Sequence, residues 1–144
     1  MTTIFHGTSS SYLDDIAAQG LRNPHLTTDR SLAVAYAEEQ VAQAINEGRP
    51  EGRPVLFALD FATLDASCLR LDANSMLEDQ AEWESYGFTL GDVRRAAGEA
   101  NPAWLDVGGR LRLPPDAWRM SLRFSRTVLF EGIIPAPGLD LQEA

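Results

Sequence analysis

The spacing of apolar and polar residues divides the chain into short strands and helices. Thr2 to His6 reads as a short first strand. Thr8, Ser9, Ser10 and Ser11 then offer N-cap side chains before a stretch in which Tyr12, Leu13, Ile16 and Ala17 recur at helical spacing. Gly20 is the expected stop of that helix. Leu21 to Pro24 reads as a turn and His25-Leu26-Thr27 as a short extended piece. Thr28 or Asp29 caps a longer helix from about Arg30 to Asn46, with Leu32, Ala35, Tyr36, Val41 and Ile45 on its apolar face. After the polar turn 48–54, the near-continuous apolar run Pro54 to Phe61 fits a strand buried on both faces. Residues 75–100 read as two short helices separated near Gly87-Phe88-Thr89, and Gly108-Gly109 opens a turn. Trp118 to Phe124 and Thr127 to Phe130 read as two late strands, followed by the stiff tail Ile133 to Pro137 at an edge or exit. Helices lie early and in the middle and strands at both ends, which predicts an α+β fold.

Composition supports one domain over residues 1–144. With 144 residues, 44% of them hydrophobic and 23% charged, the chain can build one core without disulfide or metal support. The single Cys68 excludes a disulfide framework and any cysteine-cluster zinc site, and no spacing suggests a metal site of another kind. No apolar run approaches the roughly 20 residues of a membrane helix, and residues 1–8 lack the pattern of a signal peptide. The expectation is a cytoplasmic protein with no membrane partner.

Net charge is −9, which disfavours general polyanion binding. The twelve basic residues are nevertheless all arginine, and Arg110, Arg112, Arg119, Arg123 and Arg126 crowd into 110–126, where Asp116 is the only acid. That cluster is either a solvated strand face or a local anion site, since arginine presents a fork that grips phosphate at two points. Glu38-Glu39 and Asp14-Asp15 read as solvated helix faces, and Trp83, Trp104 and Trp118 as core or pocket walls.

The two histidines, His6 and His25, both sit at strand ends near hydroxyl-bearing residues. In His6-Gly7-Thr8, a glycine at a strand end lets a ligand touch the backbone, with donors and acceptors on either side. Ile4-Phe5-His6-Gly7-Thr8-Ser9, a helix, Gly20-Leu21, His25-Leu26-Thr27-Thr28 and Ala33-Val34-Ala35-Tyr36-Ala37 form a connected pattern. Over residues 4–37 this pattern resembles the ADP-ribosyltransferase superfamily. The likeness is to the branch of poly(ADP-ribose) polymerases, diphtheria-type toxins and NAD-dependent tRNA 2′-phosphotransferases. Residues 125–135 resemble the last motif of that family more loosely, and residues 63–110 show no usable resemblance.

The resemblance implies two small antiparallel sheets around a nucleotide cleft with flanking helices, and NAD as co-substrate. It implies that Gly7 pairs its backbone with the nicotinamide carboxamide and that His6 bonds the adenosine ribose or the nearby phosphate. Thr8 and Thr27 join the same site, and Tyr36 stacks on the nicotinamide ring. His25 stands where polymerases carry a pocket tyrosine, eleven residues before the stacking one, and as His25-Leu26-Thr27 it leans toward the phosphotransferases. Two departures stand out: Ala33 replaces a serine that polymerases use for the carboxamide, and the late catalytic Glu position holds Ser125 or Arg126. Arg126 is then expected on the phosphate side, with Glu131 the nearest carboxylate in sequence; His25, Arg126 and Glu131 form the catalytic expectation. The implied function is transfer of ADP-ribose to a protein or nucleic-acid acceptor with release of nicotinamide, as a toxin or effector with an antitoxin or immunity protein as partner. Two alternatives stay open: an NAD-dependent RNA 2′-phosphotransferase, and an inactive module that binds NAD, ADP-ribose or a protein.

Overall fold

A computed structural model describes all residues 1–144. The chain is mixed α+β and forms two compact units, one of residues 1–68 with 130–144 and one of residues 69–129.

The first unit opens with strand β1 (Thr3–Ser9), followed by helix α1 (Leu13–Gln19). Gly20 ends α1 as its composition predicts: φ is +75° and its N–H donates to the Ile16 carbonyl at 2.7 Å. The expected turn after it begins as a two-residue strand, β2 (Leu21–Arg22), and β3 (His25–Thr27) follows where an extended piece is expected. Helix α2 (Arg30–Asn46) starts at Asp29, whose carboxylate accepts from the N–H groups of Ser31 and Leu32. Strand β4 (Pro54–Asp60) has the predicted two-sided burial, with Val55 through Leu59 each no more than 6% exposed.

The second unit begins with β5 (Leu69–Arg70), α3 (Ala73–Met76) and α4 (Leu90–Ala100). Of the two helices expected over 75–100, the first is only a 3-10 turn at Trp83–Tyr86; the second is α4, begun by a reciprocal capping box between Thr89 and Asp92. Residues Trp118–Phe124 form helix α5, not the expected strand. Both periods fit that segment: Trp118, Met120, Leu122 and Phe124 alternate with polar residues, while Ala117, Met120, Ser121 and Phe124 share a helical face. The helix wins because Ser121 can be buried with its hydrogen bonds made. Its hydroxyl donates to the Trp118 carbonyl and accepts from the Asp72 N–H. Phe124 meets Phe88 edge-on at 4.9 Å in a core with Leu71, Met76, Trp83 and Val93. Strand β6 (Thr127–Phe130) pairs with β5, and the chain then returns to the first unit as β7 (Ile133–Ile134) and β8 (Asp140–Glu143).

Within the first unit the strands order as β3-β1-β4-β8, and every neighbouring pair is antiparallel. A second antiparallel sheet joins β2 to β7, with Leu21 opposite Ile134 and Arg22 opposite Ile133. The expected stiff tail thus contributes a strand. β1 is in register with β4 along its whole length, from Thr3↔Asp60 to Ser9↔Pro54, but with β3 only at Phe5↔Thr27.

Helix α2 lies against β1 and β4 through Ala33 and Ala37, both fully buried, together with Leu56. The approach is so close that a Cβ on Gly7 would fall 2.0 Å from the Ala33 carbonyl oxygen and 2.9 Å from the Ala37 nitrogen. Gly7 is therefore required by helix packing. We expect Gly7→Ala to cost about 1–3 kcal/mol by overpacking, read as a lower urea midpoint. An unchanged midpoint would show that α2 has room to move off the strand.

Candidate functional site

Side chains along β1 alternate between two sides. Gly7 turns to α2, and its neighbours His6 and Thr8 line a pocket of about 200 Å³. The other walls include Tyr12, Asp15 and Gln19 of the first helical stretch, Gly20 and Arg22 just after it, and Gln40 of α2.

His6 is fixed in orientation and tautomer. Its Nδ1 lies 2.9 Å from the His25 carbonyl oxygen. A carbonyl only accepts, so Nδ1 carries the proton, and in the neutral ring Nε2 is the bare acceptor. Desolvation in its crowded position lowers the His6 pKa; the bond to the His25 carbonyl opposes that shift, and the charge of the nearby His25 ring adds to it. The neutral form therefore prevails at neutral pH, although the residue is only partly shielded from solvent. Thr8 is 4% exposed and its hydroxyl has no protein partner.

Charge in the pocket is asymmetric. Asp15 is neutralised by Arg49 at 2.8 Å, and the same guanidinium lies 4.4 Å over the Tyr12 ring and donates to the Ser11 carbonyl at 3.2 Å. The Tyr12 hydroxyl donates to Glu47 at 2.7 Å. Its pKa is raised, first by desolvation and then by that bond and the Glu47 charge. Arg22 is exposed and has no carboxylate partner, which leaves it as the uncompensated cation of the pocket. No group of three or more His, Cys, Asp or Glu side chains is placed to hold a metal ion.

The expected site residues divide as follows. His6 and Thr8 are together in the pocket. Gly7 lies between them, but the face a Cβ would occupy is filled by α2, not by space for a ligand. His25 supplies the carbonyl that holds His6, and its own ring is exposed beside it. Thr27 is buried, and its hydroxyl accepts from the Asp29 N–H at 3.0 Å, a structural task at the start of α2. Tyr36 is half-buried on α2, outside the pocket wall but four residues before Gln40 and so on the same helix face. Glu131 is exposed in the turn between β6 and β7, where its neighbour Gly132 exchanges hydrogen bonds with Asn23. Arg126 belongs to the second unit, in a left-handed conformation with φ +58°, its guanidinium 4.1 Å over the Tyr86 ring. Nothing in the sequence marks Gln40 as a pocket residue, Tyr12 shows there only as an apolar position of the first helix, and Arg22 is hinted at only by its place directly after Gly20-Leu21.

No protein-family model matches this chain, and neither the curated proteins nor the solved structures include a significant match to it.

The lowered pKa of His6 has a consequence for stability. The folded protein binds that proton less readily than the unfolded chain, whose histidines titrate near 6.5. Stability from the neutral ring is complete above that pH and is lost as pH falls below it, until the folded ring itself protonates. Thermal melts from pH 8 down to 5 should therefore show a loss in the wild type that His6→Gln lacks. Parallel curves would mean that the ring charges freely in the folded state.

Proposed function

We propose that this chain transfers ADP-ribose from NAD to a macromolecular acceptor and releases nicotinamide, with an ADP-ribosyltransferase-type fold around the His6–Thr8 pocket. The observation that carries the reading is the Nδ1–H bond from His6 to the His25 carbonyl. It presents Nε2 as a fixed acceptor beside the unpartnered Thr8 hydroxyl, a pair suited to ribose hydroxyls. Arg22 adds the fork that a pyrophosphate needs, the task the sequence had offered to Arg126. A volume near 200 Å³ suits a ribose and its phosphates better than a whole dinucleotide. The nicotinamide end then extends along the α2 face from Gln40 to Tyr36, roughly 6 Å further at 1.5 Å per residue. There Tyr36 offers a ring face to a flat cation.

In the reaction the bond between C1′ of the ribose and the nicotinamide nitrogen breaks, and its electron pair neutralises the leaving ring. Positive charge builds at C1′ and the ribose ring oxygen until the acceptor's lone pair forms the new bond and sheds a proton. Catalysis rests on holding the ribose and meeting that charge. His6 and Thr8 would hold the ribose. The exposed His25 ring is available to take the acceptor's proton, and Glu131 is the carboxylate assigned to the developing cation. A module that binds the nucleotide without turnover is the second reading, favoured by the arginine at the start of β6 where polymerases carry a glutamate.

The test is the purified protein with NAD labelled in its adenylate half and a cell lysate, following nicotinamide release and the labelled macromolecule. Arg22→Ala should weaken NAD binding about tenfold, the loss of one charge-assisted contact, and Glu131→Gln should slow release without weakening binding. Binding without release supports the inert module. Phosphate transfer from a 2′-phosphorylated RNA would instead mark a phosphotransferase. Absence of both binding and release would end the reading.

A further inference from the structure

The chain passes from β2 to β3, and so from one sheet to the other, through only Asn23 and Pro24. Asn23 takes φ +46°. Such a value is uncommon for a residue with a Cβ, asparagine being among the more tolerant, and a following proline favours extended backbone instead. A conformation of this kind persists where neighbouring contacts over-determine it. The Asn23 N–H donates to the Gly132 carbonyl at 2.7 Å, and its side-chain oxygen accepts from the Gly132 N–H at 2.8 Å. Pro24 adds a third bond, its carbonyl accepting from the Phe130 N–H at 3.0 Å. The turn that receives these bonds is anchored in its own right, because the Glu131 N–H donates to the Cys68 carbonyl at 2.8 Å.

This clamp stands between two groups of the pocket. Arg22 directly precedes Asn23 and lines the pocket wall. His25 follows Pro24, and its carbonyl holds the His6 Nδ1–H at 2.9 Å. We infer that Asn23 is a positioning residue of the pocket: its left-handed backbone and its bond to Gly132 hold Arg22 and the His25 carbonyl in fixed relation, so that the cation and the bare His6 Nε2 serve one ligand. A change of φ at residue 23 rotates the chain before it against the chain after it, so Arg22 and His25 cannot keep their places independently of that angle. Asparagine and aspartate meet both demands of the position, a tolerated positive φ and a side-chain acceptor for the Gly132 N–H. Glycine meets only the first, and alanine neither. What Arg22 and His6 bind rests on the transferase reading; that Asn23 places them does not.

The experiment follows the His6 ring by nitrogen NMR of the full chain at alkaline pH, where the ring is neutral and only two histidines need assigning. The wild type should carry the proton on Nδ1. In Asn23→Ala the Nε2–H form should appear, and NAD affinity should fall about tenfold, as for Arg22→Ala. Asn23→Gly keeps the backbone and loses only the side-chain bond, and should change both in the same direction and less. Asn23→Asp should keep the wild-type ring spectrum. Ser121→Ala, in the second unit, should lower the melting temperature without moving the His6 signal, which separates positioning from general destabilisation. A wild-type His6 signal in both Asn23→Ala and Asn23→Gly overturns the inference. A shift in Asn23→Asp or Ser121→Ala as large as that in Asn23→Ala also overturns it. If Asn23→Ala does not fold, Asn23→Gly decides alone. Absence of NAD binding by the wild type ends the transferase reading, and the His6 signal still decides the role of Asn23.

Discussion

The backbone of α2 rests directly on Gly7, and the geometry of the first unit follows from that contact. Ala33 and Ala37 present only methyl groups to the strand, and Gly7 presents none, so helix and strand approach until carbonyl and Cα are in contact. No larger residue fits at Gly7 without moving the helix. With Gly7 committed to α2, strand alternation sends His6 and Thr8 to the pocket. The same approach brings Gln40, one turn beyond Ala37 on α2, into the pocket wall. Packing and site are thus set by one glycine, although the pocket's chemistry lies in its neighbours.

Electrostatics then divides the tasks. Arg49 is used up locally by Asp15, the Tyr12 ring and the Ser11 carbonyl, so it fixes α1 and its approach without adding net charge to the pocket. Arg22 has no such partner. An exposed guanidinium, a neutral histidine and a hydroxyl therefore share one pocket wall. A metal-dependent hydrolytic site would need clustered carboxylates and imidazoles, and the acids of this chain are not gathered in that way.

Much of the first unit could be read from the residues alone. α2 carries its own start in Asp29, β4 shows its burial as an unbroken apolar run, and α1 stops at a glycine that takes a positive φ. The segment Trp118–Phe124 could not be read, because its apolar residues satisfy a period of two as well as one of 3.6. The choice was made by a partner 49 positions away, the Asp72 N–H that Ser121 accepts. The two-residue strands β2 and β7 were equally hidden, since nothing in Leu21–Arg22 announces that Ile133–Ile134 will lie opposite. For the site, His6, Gly7 and Thr8 stood out as a motif, but the structure changes why. Gly7 answers to helix packing, and Arg22, unremarkable in sequence, becomes a wall because α1 and β2 fold back beside β1.

The tautomer of His6 shows how function can depend on a group no sequence displays. Either ring nitrogen of a histidine can carry the proton, and the residue name leaves the choice open. Here the choice is made by a main-chain carbonyl, that of His25, on a strand whose register with β1 is anchored by Phe5↔Thr27. Any side chain at position 25 would supply the same carbonyl, so the His6 orientation depends on the placement of β3 and not on the identity of its first residue. The His25 ring itself is thereby free of structural duty and stands exposed beside the site. The two rings therefore differ: the His25 carbonyl holds His6 as a fixed acceptor, while the His25 ring stands exposed.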